Sequence, residues 1–222
     1  MMTRGVVIFC HGSGDTAAGA QAWVQSVGVR SALAQFDWDY PGARPIPYTL
    51  NRGAVSSVWY DRVGGFEPSY PEHTETIEAS VSALTRAIEG HIARGVPAAR
   101  IALGGFSMGG AMAVQTAARW HADSTREPLG AVFCLSSYLS DNSAAFAMTE
   151  ASGALWPQVH FSHGADDDFI LPAWGERTAE RLRAAGVDAT FKTHAKCRHE
   201  LVPSSIADLL AFLLTKFPAA CQ

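Results

Sequence analysis

Short apolar runs with strand character alternate with helix-forming segments along most of this chain, and that alternation constrains the fold more than any other feature. The strand candidates are Val6–Cys10, Ala43–Tyr48, Arg100–Phe106, Gly130–Ser136, Gln158–Ser162 and Ala189–Thr193. Helical stretches fall near Ala20–Gln35, Pro71–Gly95, Met108–Trp120, Pro172–Ala185 and Pro203–Lys216. Strands separated by helices pair in parallel, so the expected class is α/β, a mostly parallel sheet with helices on both faces. With 222 residues, 48% of them hydrophobic, the chain suffices for one substantial core, and a single domain over 1–222 is expected.

Two helices carry clear periodicity. Ile77, Val81, Leu84, Ile88 and Ile92 recur at three- and four-residue steps, the stripe of a helix with one buried face, and Gly95 and Pro97 end it. Ile206, Leu209, Leu210 and Leu213 repeat the logic in the last helix, with Ser204 or Ser205 as its cap. The segment 36–70 is rich in Pro, Gly and aromatics and reads as loop apart from one short strand; loops of that length are usually functional or mobile.

Composition excludes several functions. A formal net charge of -4 with scattered basic residues offers no clustered cationic face for nucleic acid. No apolar segment approaches the ~18 residues of a membrane span. The start, Met1-Met2-Thr3-Arg4-Gly5, leads into an apolar run too short for a signal-peptide core, so a cytoplasmic protein without stable membrane insertion is expected. Cys10, Cys134, Cys197 and Cys221 contain no C-x-x-C pair, which gives no zinc or dithiol motif; neither a metal nor a cofactor is expected.

The chemistry lies at the ends of the strands. Gly105-Phe106-Ser107-Met108-Gly109 sits between the run Ile101–Gly104 and a helix-forming one, as in a nucleophile elbow, where a sharp turn exposes the serine hydroxyl at the carboxyl edge of a sheet. Serine hydrolysis further requires a base, a carboxylate to orient that base, and backbone donors for the oxyanion. His199 is the preferred base and His194, nearer its strand end, the rival. Asp166, Asp167 and Asp168 follow the preceding strand, and spacing does not choose among them. The resulting order, serine then acid then histidine, is that of α/β-hydrolases. The oxyanion donors expected in this arrangement are the amide of Met108, after the nucleophile, and that of Ser13, in the loop His11-Gly12-Ser13-Gly14-Asp15. Leu50, Trp59, Phe66, Phe169 and Ile170 lie in loops where they are candidates to line an acyl pocket. Asp15 and Asp61 are expected to brace their loops through backbone amides.

The chain resembles the acyl-protein thioesterase and lysophospholipase-like carboxylesterase family. The resemblance is carried by VIFCHGSGD (7–15), VWYD (58–61), GVPAARIALGGFSMGGAMA (95–113), HGADDDFILPAW (163–174) and CRHEL (197–201), and it runs nearly end to end. It implies Asp167 as the acid, Ser107 as nucleophile, His199 as base, Ser13 and Met108 as oxyanion donors, and no cofactor. The implied partner is a small-molecule ester or an acylated protein, and the oligomeric state is left open. Depalmitoylating members carry glutamine after the nucleophile. Here Met108, together with Ser136–Leu139 and Leu171–Trp174, resembles the lysophospholipase-like branch, which implies short acyl chains. Protein depalmitoylation or lysophospholipid hydrolysis is the alternative, and a non-catalytic acyl-binding protein a further one, against which the intact serine, acid and histidine argue. A dienelactone-type hydrolase would need cysteine at position 107.

Overall fold

The computed structural model describes residues 4–152 and 156–218. Cys221 and the first three residues of the N-terminal run lie outside them. Six strands form one parallel sheet in the order β2-β1-β5-β6-β7-β8: β1 (Val6–Cys10), β2 (Asp37–Asp39), β5 (Ile101–Phe106), β6 (Ala131–Leu135), β7 (Val159–Gly164) and β8 (Ala189–His194). The central strands β1, β5, β6 and β7 are buried along their whole length, as expected of strands covered on both faces.

Two hydrophobic clusters fill the space on either side of the sheet. One joins α1 (Ala17–Val27) and α7 (Pro203–Lys216) to Val7, Phe9, Ala131 and Phe133. The other gathers α3 (Thr74–Ala93), α4 (Met108–Ala122), α5 (Ala144–Ser152) and α6 (Pro172–Ala184) on Ile8, Leu103, Val132 and Phe161. In α3 the stripe buries Ile77, Val81, Leu84 and Ile88, while Ile92, at the final turn, is 37% exposed. The N-cap of α7 is Val202 rather than Ser204 or Ser205, and Ser205, the third residue of the helix, reaches back so that its Oγ accepts from the Val202 amide at 3.1 Å. Among the described residues no helix is long and apolar enough to cross a membrane.

Several elements depart from the sequence reading. The helix expected over Ala20–Gln35 is broken at Gly28 into α1 and a single turn, α2 (Arg30–Leu33). The strand expected over Ala43–Tyr48 shrinks to β3 (Pro45–Pro47), which pairs antiparallel with β4 (Val55–Ser57) outside the main sheet. Pro45 and Pro47 cannot donate to a ladder on both sides, so this strand is confined to a two-stranded ribbon. The polar tripeptide Asp37-Trp38-Asp39, read as loop, is instead the edge strand beside β1. α5 was not anticipated.

The cysteines that can be described are free and buried. Burial pushes the Cys10 and Cys134 thiols well above their ordinary range, so both behave as small apolar side chains. Cys197 is also raised, first by burial and then by Glu200 and the neighbouring aspartates, which disfavours a reactive thiolate there.

Candidate active site

Because the sheet is parallel, the loops that follow β1, β5, β7 and β8 all emerge at one edge, the edge where open α/β sheets bind ligands. The β5–α4 junction is the sharpest of these turns. Ser107 has φ 54° and ψ −122°, outside the regions open to ordinary residues, a conformation that costs about 1–3 kcal/mol and persists only where surroundings enforce it. Two features enforce it here. The Ser107 amide donates to Leu135 O on the neighbouring strand at 2.8 Å. Gly105 and Gly109 let the strand and helix close on each other: a Cβ on Gly109 would lie 2.6 Å from His11 O and nearer still to Cys10 O.

His199 Nε2 stands 3.0 Å from Ser107 Oγ, and its Nδ1 donates to Asp167 Oδ2 at 2.7 Å. In that tautomer Nε2 is the acceptor, ready to take the hydroxyl proton. The imidazole is held between aromatic rings, with its centroid 4.8 Å from Phe106 and 5.2 Å from Phe169. The rival base, His194, is buried at the end of β8 and bonded to Ser162 Oγ at 2.7 Å, away from the serine.

The three aspartates are separated by the turn they occupy. Asp166 and Asp168 are exposed, and Asp168 pairs with Arg198. Asp167 is buried, and it both orients the histidine and binds the turn: Oδ1 accepts from the amides of Phe169 at 3.1 Å and Ile170 at 2.9 Å. His163 Nε2 lies 3.3 Å from Oδ2. Burial alone would raise the Asp167 pKa, but hydrogen bonds from His163, His199 and the Ile170 amide override it and hold the carboxyl well below the ordinary range. It is an anion at neutral pH.

The loop after β1 approaches from the other side. Gly12 and Ser13 line the same cavity as Ser107 and Met108, and the amides of Ser13 and Met108 take no acceptor from the described residues. As the first residue of α4, Met108 has no intrahelical acceptor. The loop is fixed from below: Ala43 N donates to His11 Nε2 at 3.0 Å, and Trp59 Nε1 donates to His11 O at 2.8 Å. Burial lowers the His11 pKa, consistent with a neutral ring accepting at Nε2. Asp15 braces the same loop through the Thr16 amide, and Asp61 braces the next one through the amide and hydroxyl of Thr49.

The cavity encloses about 360 Å³, near the small end of ligand pockets, which run from about 300 to 1,000 Å³. Of the proposed acyl-pocket residues it brings in Phe66, Phe169 and Ile170, but not Leu50 or Trp59. Leu50 sits on a 3₁₀ turn and packs onto the core beneath it. Trp59 is 2% exposed and spent on holding His11, its ring 5.0 Å from that imidazole. Both are apolar loop residues, a property that does not distinguish packing from lining. Trp23, Phe106 and Arg62 also line the cavity and were not anticipated.

A parallel sheet carrying a strained serine after a central strand, with a histidine and a buried aspartate from the last two strands, defines an α/β-hydrolase. The chain belongs to the Phospholipase/Carboxylesterase family, which it matches over residues 2–217, and it is a serine hydrolase of ester bonds. It is 34% identical to Lysophospholipase-like protein 1 from Mus musculus over 213 residues, covering 96% of this chain and 87% of that one. Acyl-protein thioesterase 1 from Gibberella zeae is 31% identical over 217 residues, covering 96% and 90%. Among solved structures, SOBER1 from Arabidopsis thaliana superposes with a TM-score of 0.84 at 23% identity, covering 96% of this chain and 99% of that one, a likeness of fold.

Proposed function

We propose that the chain hydrolyses short-acyl carboxylic esters through an acyl-enzyme on Ser107. The observation that supports it most is the continuous hydrogen-bonded line from Ser107 Oγ through His199 to Asp167, opening into a small cavity. As Oγ attacks the acyl carbonyl, His199 Nε2 takes its proton, and the ionised Asp167 stabilises the imidazolium at Nδ1. The Ser13 and Met108 amides receive the oxyanion. Collapse of the tetrahedral intermediate returns the proton from His199 to the leaving alcohol or thiol and leaves the acyl group on Oγ. Water then attacks that ester with the same base, releasing the acid and restoring the serine.

The preference for short chains rests on cavity size, on the Phe66 and Phe169 rings whose centroids lie 4.8 Å apart beside the histidine, and on methionine rather than glutamine at position 108. The names of the relatives span lysophospholipase-like proteins and thioesterases at similar identity, so chain length is the discriminating measurement. Across para-nitrophenyl esters from two to sixteen carbons, kcat/KM is expected to peak among the shortest chains and to exceed the rate on a palmitoylated peptide. A maximum at long chains would replace this reading with protein depalmitoylation.

A further inference from the structure

Among the described residues, Arg62 is the one arginine or lysine that is buried, at 9% exposure, and it lines the cavity that holds Ser107. Its guanidinium occupies a cage of three rings, with centroids 5.1 Å away for Tyr60, 5.2 Å for Tyr138 and 5.7 Å for Phe66. Nη1 donates to Tyr138 Oη at 2.8 Å and Nη2 to Tyr60 Oη at 2.7 Å. Tyr138 Oη in turn donates to Phe66 O, which fixes the loop on that side of the cavity.

What the cage lacks is a counter-ion. Backbone pairing sets Arg62 opposite Glu72 in an antiparallel bridge, yet the Glu72 carboxylate turns away to accept from Gln115 Nε2 at 2.6 Å. Asp61, the preceding residue, is committed to Thr49. Asp15, the other fixed charge on the lining, is bonded to the Thr16 amide. None of the described residues forms an ion pair with Arg62. Arginine is always charged, and burying such a charge without an anion is unfavourable. A guanidinium also carries more N–H donors than the two the tyrosines take up, in a planar fork that suits carboxylate or phosphate oxygens.

We propose that Arg62 binds an anionic group on the substrate, so that the preferred esters carry a carboxylate or a phosphate close to the scissile bond. This rests on the reading of the Ser107 cavity as the acyl-transfer site. The anion completes the ion pair that the fold withholds, with the tyrosine hydroxyls holding the guanidinium in place. A specificity of this kind is local, since the chain's net charge of -4 gives anionic substrates no long-range attraction.

Three matched ester pairs test it, each charged member compared with its neutral isostere by the ratio of kcat/KM. One pair places a terminal carboxylate on the acyl chain, one a carboxylate on the leaving phenol, and one a phosphate monoester on the leaving phenol. In the unmutated protein at least one charged ester is expected to be preferred by about tenfold or more, the scale of a charge-assisted contact. Arg62→Met should abolish that ratio, and Arg62→Lys should restore part of it. A purely structural role for Arg62 would slow both members of a pair alike and leave the ratio unchanged, which overturns the proposal. So does a preference for the neutral ester in all three pairs, whatever the variants do. If the unmutated protein turned over no ester at all, the esterase reading would fall first and this inference with it.

Discussion

Ser107→Ala is expected to lower kcat/KM for para-nitrophenyl butanoate by about 10⁴- to 10⁶-fold, with a urea midpoint close to that of the unmutated protein. The two halves of this expectation have separate causes. The variant loses the hydroxyl proposed to form the acyl bond, the group that His199 Nε2 faces at 3.0 Å in the unmutated protein. The cavity and the amides proposed to hold the oxyanion survive, so a residual rate above that of water is expected. The fold should not suffer, because alanine keeps the Cβ and the backbone bond from residue 107 to Leu135 O. Circular dichroism and urea titration beside the kinetics separate loss of chemistry from loss of structure. Turnover within tenfold of the unmutated protein would transfer the nucleophile's role elsewhere.

The second large effect is on stability. Gly109→Ala adds one methyl group, placed 2.6 Å from the His11 carbonyl oxygen and closer to that of Cys10, both backbone atoms at the end of β1. Backbone cannot rotate out of the way as a side chain does, so α4 must shift against the sheet. Overpacking of this kind is expected to cost about 3 kcal/mol or more, roughly a 6–12 °C fall in Tm for a chain of this size. The same displacement moves Met108 and the elbow, so activity should fall with stability. A variant that unfolds within 1 °C of the parent would mean that α4 gives way from β1 without cost, contradicting a close helix–strand contact at Gly109.

How much of this was visible in the sequence follows from which interactions are local. The elbow is legible because close approach of strand and helix demands small residues at fixed spacing, Gly105 and Gly109, around one strained serine. The parallel sheet is legible because its central strands are buried on both faces, so that β1, β5 and β6 are apolar throughout and β7 keeps Val159 and Phe161 in its run. The edge strand Asp37–Asp39 has one neighbour among the described residues and partly exposed side chains, so it carries no such signature. The choice among Asp166, Asp167 and Asp168 is illegible from spacing, since it depends on which carboxylate the turn folds over the Phe169 and Ile170 amides. Resemblance singles out Asp167, but it does not reveal that the same carboxylate both holds the histidine and binds the turn amides.

The pocket residues mark the other limit. Phe66, Phe169 and Ile170 reach the cavity while Leu50 and Trp59 do not, and nothing in their residue types separates the two groups. Trp59 turned out to matter differently: it holds His11 O at 2.8 Å and so positions the loop that offers the Ser13 amide. Arg62 is legible as a cation beside the aromatic Trp59-Tyr60 pair, but that Glu72, set opposite it, turns its carboxylate to Gln115 is a fact of three-dimensional packing.

The central claim is that an acyl group is carried on Ser107 Oγ, and intact-mass measurement after treatment with a fluorophosphonate probe tests it most directly. The account predicts one adduct per chain, mapped by peptide sequencing to Ser107, and none on the Ser107→Ala variant. An unmodified protein, or an adduct on any other residue, would contradict it.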